Sequence, residues 1–497
     1  MAGIKDRIIS YIDAGFPILY IETFEETKAE DMLRSVAGGK RMVEWNINGF
    51  FDHKANTVCE WDLFQTLHFI YETADDFKRS ILVLKDVNRF LDDPYVIAEL
   101  KHLAVKIDEG LEEFTIVLLA PVVNLPRELE PFTTIFTMEY LTQTEIRTVI
   151  ESFCVEQELE TLHESLMEDL VQTFKGLSEL EVRNILALAL TDDGEITRSD
   201  LSLIFDQKQQ VIKKSGILEM IPLNESLEDI GGLESLKKWL QRKVRVFKNI
   251  NKAQAFGVDV PKGVLIAGMP GCGKSLNAKA TAKLFEVPLL RLDMGRLMGK
   301  YVGESEANMR RAIALAEAIS PCVLWIDELE KAFAGIGGQG GGADVTTRLF
   351  GTFLTWLQEK DSMAFVVATA NNIVEMPPEL MRKGRFDEIF YVDFPKDDER
   401  RKIFSIHIGK RRKNDLAKID LDKLVKETKG YSGADIESVV RDSVEEVFAD
   451  GRDSLTTEDI LAAIKQTHSL SEIMKDSLDK MAKVYEERKF KNASEGR

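Results

Sequence analysis

The stretch GVLIAGMPGCGKSLNAKATAKLF, residues 263–285, joins an apolar strand to a helix through a run of glycines. Val264–Ile266 supplies the strand and Leu276–Leu284 the helical run. Between them GMPGCGKS, residues 268–275, fits the spacing GxxxxGK[ST]. Average residue usage gives about 0.02 such matches by chance in a chain of 497 residues, so the run is a signal. Gly268, Gly271 and Gly273 let the backbone wrap closely around a phosphate, and the loop N–H groups and helix N-terminus meet its negative charge. Lys274 neutralises β- and γ-oxygens, and Ser275 offers a hydroxyl to Mg²⁺. Pro270, Cys272 and Leu276 complete the nucleotide-binding run, although phosphate chemistry makes no demand on the Cys272 side chain.

Two further strand ends complete the chemistry. PCVLWIDE, residues 321–328, is a buried strand whose C-terminal edge presents Asp327 and Glu328. Asp327 can order Mg²⁺ through water. Glu328 can polarise an attacking water, since hydrolysis of a γ-phosphate needs a positioned base. FVVATANN, residues 365–372, ends in Asn371, whose amide can orient that water. Lys274, Glu328 and Asn371 are thus candidate catalytic residues, and Ser275 and Asp327 candidate metal ligands.

Strand-like runs alternate with helical patterns along the whole chain. Ile18–Ile21, Ile81–Leu84 and Thr115–Leu119 lie in the first half; Gly263–Ala267, Leu289–Asp293, Cys322–Ile326 and Phe365–Thr369 in the second. Buried runs separated by helices predict an α/β fold, a parallel sheet with helices on both faces. A boundary falls near 205–227, where a polar helix gives way to Gly216, Pro222 and Asn224. The halves look related. LVQTFKGLSELEVRNIL at 170–186 aligns with LVKETKGYSGADIESVV at 424–440, identical at Leu170/Leu424, Val171/Val425, Lys175/Lys429, Gly176/Gly430 and Ser178/Ser432. The strand ending in Asp86 mirrors that ending in Asp327. The first half lacks the phosphate loop: PILYIETFEET places Glu25 and Glu26 where glycines are needed, and their carboxylates repel phosphate. It is expected to bind no nucleotide.

Composition excludes several classes. Asp and Glu total 84 against 65 Lys and Arg, a net charge of −19, which disfavours nucleic acid outside a local basic patch. The basic runs Lys410–Lys413 and Lys237–Arg245 are the best such patches, but solvated helix and lid faces explain them without a ligand. Cys59, Cys154, Cys272 and Cys322 are far apart, and six histidines show no zinc pairing. The longest apolar stretch, Phe114–Leu125, is too short to span a bilayer and carries Pro121. MAGIKDRIISYIDAG has no signal-peptide core, so no membrane segment and a cytoplasmic location are expected.

In order and spacing, these motifs resemble the AAA family of ATPases over about residues 225–470. The resemblance implies a P-loop AAA+ core, a parallel sheet sandwiched by helices, with a small helical lid, preceded by a degenerate AAA-like α/β domain. The implied boundaries are 1–204 for that domain, 205–227 for a linker helix and linker, 228–395 for the core, 396–470 for the lid and 471–497 for a charged, helix-prone tail. LEDIGGLESLKK at 227–238 looks like the family's opening segment, with Asp229 and Gly231 lining the adenine pocket. GRFDE at 384–388 looks like the arginine-finger motif, which would send Arg385 into a neighbouring subunit's site. Glu388 departs from the family, which often has a second arginine there. YSGADIE at 431–437 looks like the lid-helix segment, with Gly433 and Ala434 near the nucleotide, and His407 matches a position near the ribose. The whole chain resembles, within that family, the uncharacterised proteins named after hypothetical chloroplast reading frame 46, through PILYIETFEE, KKSGILEMI, CVLWIDELEK and KGRFDEIFYVDFP. That implies a stromal location if the chain is plastid-encoded.

GKYVGESE at 299–306 occupies the family's first pore-loop position, so Lys300, Tyr301 and Val302 would face a ring's channel and grip an extended polypeptide. GIGGQGGG at 335–342 looks like the second pore loop. The family implies a homo-oligomer, a hexamer, with ATP and Mg²⁺ as cofactors. The leading expectation is a Mg-ATP hydrolase that remodels a protein substrate recruited through the first domain. The alternatives are a nucleotide-dependent switch and a nucleic-acid-associated ATPase.

Overall fold

The computed structural model describes residues 4–23, 25–52, 57–111, 113–214, 216–297, 304–332, 341–373, 376–473, 484–485, 488 and 490–495. The chain forms two compact units, Met1–Thr197 and Arg198–Arg497.

The first unit contains strands β1 (Ile18–Glu22), β2 (Arg41–Asn46), β3 (Gly49–Asp52), β4 (Thr57–Cys59), β5 (Ser80–Lys85), β6 (Thr115–Ala120) and β7 (Thr133–Thr137). Its helices are α1 (Ile4–Asp13), α2 (Glu26–Ala37), α3 (Leu63–Glu72), α4 (Pro94–Asp108), α5 (Gln143–Glu156), α6 (Glu164–Phe174) and α7 (Glu179–Asp193). The sheet order is β4-β3-β2-β5-β6-β1-β7, with β2, β5, β6, β1 and β7 parallel. Alternate residues of β1 explain why the sequence shows a continuous apolar run. Ile18 and Tyr20 enter the core on one face, Leu19 and Ile21 the core on the other.

The second unit contains β8 (Leu218–Ile221), β9 (Gly263–Gly268), β10 (Leu289–Leu292), β11 (Cys322–Ile326), β12 (Ala364–Ala370), β13 (Glu388–Val392) and β14 (Lys491–Asn492). Its helices are α8 (Leu201–Lys214), α9 (Glu234–Lys248), α10 (Ile250–Ala255), α11 (Lys274–Phe285), α12 (Met294–Leu297), α13 (Glu304–Ile319), α14 (Leu329–Ala332), α15 (Gly341–Glu359), α16 (Asp397–Arg412), α17 (Leu421–Glu427), α18 (Gly433–Ala449), α19 (Thr457–Gln466) and α20 (Leu470–Ile473). The sheet order is β14-β13-β9-β12-β11-β10-β8. Helices α16 to α19 pack on one another around Phe404, Leu424, Val440 and Ile460 as a separate helical core.

Strand order is shared by the two sheets. β7-β1-β6-β5-β2 of the first corresponds to β13-β9-β12-β11-β10 of the second, and both are extended by an antiparallel strand beyond the last. The aligned segments also fold alike. Gly176 and Gly430 take φ of 80° and 83°, and each precedes a capping box, Ser178 with Glu181 and Ser432 with Asp435, that opens α7 or α18.

Two segments differ from the sequence expectation. Residues 218–221, read as linker, pair antiparallel with β10. Residues 491–492, read within a helix-prone tail, pair parallel with β13. Ala493 is fully buried there; its N–H donates to the Tyr391 carbonyl at 2.8 Å and its carbonyl accepts the Leu236 N–H at 3.1 Å. Edge pairing of this kind is made by backbone groups, which composition does not reveal.

Candidate functional site

Parallel topology places the C-terminal ends of β9, β11 and β12 side by side, and α11 starts directly above β9. The loop between β9 and α11 needs glycine at two tight points. Gly268 has φ +150° and a Cβ there would lie 2.0 Å from the Val392 carbonyl oxygen. Gly271 has φ +72°, and a Cβ would meet the Ser432 hydroxyl at 2.7 Å. The loop therefore touches the start of α18: the Gly271 carbonyl accepts the Ala434 N–H at 3.0 Å.

Lys274 is only 6% exposed, and its ammonium donates to the Gly268 and Met269 carbonyls at 2.9 and 2.6 Å. Burial pushes its pKa down to about 8, against the opposing pull of Glu330, Asp327 and Glu328. The Ser275 hydroxyl donates to Asp327 Oδ1 at 3.1 Å, and the Thr369 hydroxyl also bonds that oxygen. Glu328 has a left-handed backbone, φ +51°, unusual for a side chain of this size. Its N–H donates to Thr369 Oγ1 at 3.2 Å and its Oε1 accepts from Asn371 Nδ2 at 3.2 Å. A carboxylate on a left-handed backbone is thus held at the strand edge, facing an amide.

These groups form one end of a cleft of about 360 Å³. Its walls take in Asp229, Gly231, Gly271, Cys272, Gly273, Lys274, Ser275, Leu276, Asp327, Glu328, Asn371, His407, Gly433 and Ala434. Asp229 is bound by Lys410 at 2.6 Å, and that ammonium holds its carboxyl down at about 2. Gly231 leaves no room for a side chain, because a Cβ would lie 2.5 Å from Ile403 Cγ1. His407 Nδ1 lies 3.7 Å from Glu437, and burial lowers its pKa. Burial also pushes the Cys272 thiol up to about 12, which leaves it neutral.

Other candidates fall elsewhere. Gly268 and Pro270 shape the loop without lining the cleft. Arg385 lies outside it too. The Asp387 N–H bonds the Gly263 carbonyl at 2.9 Å, so this segment sits beside the start of β9, roughly 17 Å along the strand from the phosphate loop. Arg385 Nη1 is buried without a hydrogen-bond partner among the described residues. Lys300, Tyr301 and Val302, and residues 335–340 of the glycine-rich run, lie outside the described residues.

Sequence reading missed Thr369, Glu330, Glu399, Ile403 and Glu437. Three had a usable signal. Thr369 stands two residues before Asn371, at the end of the same strand; Ile403 stands four before His407 and Glu437 four after Gly433, each on the same face of a helix.

The comparisons with known proteins agree with this architecture. Residues 264–394 match the ATPase family associated with various cellular activities (AAA), and residues 418–462 match the AAA+ lid domain. Residues 4–138 match the N-terminal domain, and 144–215 the second domain, of SpoVK-like AAA ATPases. The uncharacterised AAA domain-containing protein ycf46 of Guillardia theta is 37% identical over 487 residues, covering 97% of this chain and 94% of that protein. Its namesake in Pyropia yezoensis is 35% identical over 484 residues, covering 96% and 97%. That of Trieres chinensis is 35% identical over 474 residues, covering 94% of each. Among the described residues no helix is long and apolar enough to cross a membrane. With a phosphate loop, an acidic strand end and a helical lid meeting in one cleft, and with relatives aligned from end to end, the chain belongs to the AAA family of ATPases, among the ycf46-type AAA domain-containing proteins.

Proposed function

We propose that the cleft hydrolyses Mg-ATP and that the chain works as a ring, a hexamer, which remodels a protein substrate. The observation that carries the hydrolytic part is the meeting of Lys274, Ser275, Asp327, Glu328 and Asn371 at the ends of three adjacent strands. Lys274 and the loop N–H groups would hold the phosphates. The Ser275 hydroxyl and Asp327 carboxylate, 3.1 Å apart, are hard oxygen donors of the kind Mg²⁺ takes. They would hold that ion, whose charge would polarise the γ-phosphoryl group. Glu328 would take the proton of the attacking water, and Asn371 would orient it. Asp229, Gly231, His407, Gly433 and Ala434 would surround the nucleoside.

The position of Arg385 supports assembly. It lies outside the cleft of its own chain, and its Nη1, without a hydrogen-bond partner among the described residues, leaves a donor for a neighbour's developing phosphate charge. Tyr301 would grip substrate in the ring's channel, and the N-terminal unit would recruit that substrate or an adaptor. A nucleic-acid role finds less support, because much of the basic run 410–413 is already engaged. Lys410 pairs with Asp229, Arg411 with Glu437 and Arg412 with Asp415. Glu388 favours a second reading, a slowly hydrolysing nucleotide switch. It pairs with Lys491 of β14, at the position where the family often has a second arginine.

Glu328→Gln is expected to retain ATP binding and lose turnover by about 10²-fold or more. Unchanged turnover removes Glu328 from catalysis. Arg385→Ala should also be inactive, and mixing the two variants should restore activity in proportion to mixed neighbours. Specific activity that is flat with protein concentration, from a persistent monomer, turns the assignment to the switch. Tyr301→Ala then separates gripping from switching: it should stop substrate remodelling and spare nucleotide binding.

A further inference from the structure

Glu330 lies two residues past Glu328, on the first turn of α14, and is 4% exposed. Its Oε1 accepts the backbone N–H of Asn371 at 3.0 Å. Its Oε2 is buried with no hydrogen-bond partner among the described residues. A peptide N–H at a strand end is ordinarily satisfied by water or a carbonyl, and burying a carboxylate to do it is unfavourable. Burial accordingly raises the pKa of Glu330.

What the contact holds explains its use. The Asn371 amide donates to Glu328 Oε1 at 3.2 Å, and the Glu328 N–H donates to Thr369 Oγ1 at 3.2 Å. The turn after β11 is therefore clamped to the end of β12 at three points. Thr369 fixes the Glu328 backbone, Glu330 fixes the Asn371 backbone, and the two side chains meet between them. Rotation of the peptide between Ala370 and Asn371 would swing the amide away from Glu328. Among these contacts, the one that opposes such rotation directly is the Glu330 carboxylate.

We infer that Glu330 is a positioning residue for hydrolysis: its carboxylate fixes the Asn371 peptide and thereby aims the Asn371 amide at Glu328 and at the water beside it. The inference rests on the hydrolytic reading of the cleft. Glu330 touches neither substrate nor metal in this scheme. It acts through Asn371.

The test uses the full chain with ATPase kinetics, ATP affinity by fluorescent-nucleotide titration and melting temperature. Glu330→Ala should lower kcat by about 10²-fold, the scale of a small misplacement of a reacting group, with ATP affinity unchanged. Glu330→Gln keeps an acceptor oxygen and should retain most of the turnover. Asn371→Ala should lower kcat by itself, and the double variant Glu330→Ala/Asn371→Ala should be no slower than Asn371→Ala, because both changes remove one interaction. Multiplying losses would overturn the proposal. So would wild-type turnover in Glu330→Ala, or a parallel loss of ATP affinity and melting temperature, which marks a scaffold. Should Glu330→Ala not fold, Glu330→Asp decides. It keeps the charge and withdraws the acceptor, so lost turnover supports the role and wild-type turnover refutes it. Failure of the hydrolytic reading looks different: Glu328→Gln would then be as active as wild type, whatever Glu330 variants do.

Discussion

Lys274 is a charged group held where charge is least welcome. Its pKa of about 8 lies below the ordinary 10.5, so folding disfavours its protonated form. That penalty is complete below pH 8 and fades as the pH rises towards 10.5, where folded and unfolded chains are both losing the proton. Phosphate oxygens in the cleft would give the ammonium a partner. Lys274→Met should therefore raise the ligand-free melting temperature at pH 7 by a few degrees and abolish the upward shift that ATP gives the wild type. The stabilisation should shrink at pH 9.5. Scanning fluorimetry at both pH values checks this, and a lower melting temperature at pH 7 would contradict the burial argument. At this scale much of the cleft was legible. The groups proposed to hold phosphate and metal follow a spacing that such chemistry imposes, so GMPGCGKS and WIDE could be read directly as candidates. Glu330 was not, because its role depends on a backbone N–H forty-one residues away.

Elements show where pattern succeeds and where it fails. The continuous apolar runs gave β1, β5, β6, β9, β10, β11 and β12, since strands buried on both faces carry no polar alternation. β2 escaped because it contains Arg41 and Glu44; Glu44 is buried against Lys85 at 2.9 Å, an ion pair no run of apolar residues announces. β14 is two residues long and exists through its pairing with β13. The segments 170–186 and 424–440 could be aligned from five identities; the helix start they share emerges only in the fold, and its two copies make an internal comparison. Ser178→Ala and Ser432→Ala should each cost about 1 kcal/mol by loss of a helix cap, measured by denaturant titration. Only Ser432→Ala should also weaken ATP binding, because Ser432 packs against Gly271 of the phosphate loop. Equal effects of the two on ATP affinity would argue against this arrangement.

Across the molecule, one strand order has been used twice, with a phosphate loop in one copy. Five residues join β9 to α11, and three join β1 to α2. The shorter link leaves too few N–H groups to encircle a phosphate. One ATP per chain is therefore the expected stoichiometry by calorimetry, and none in Lys274→Ala; two sites, or residual binding in that variant, would place a nucleotide in the first unit. In the first unit the link between β1 and α2 meets the start of α7 through Glu25, whose Oε1 accepts the Glu179 N–H at 2.6 Å, much as the Gly271 carbonyl accepts the Ala434 N–H at the start of α18. A helix start that would otherwise attract a passing anion is met here by a carboxyl group covalently attached to the chain. If the first unit binds no nucleotide, as its sequence leads us to expect, it resembles a switch soldered in one position, with an anion that belongs to the chain and is neither exchanged nor hydrolysed. On that reading a rise or fall in the cell's ATP to ADP ratio is expected to leave this contact unmoved, in feast and in famine alike.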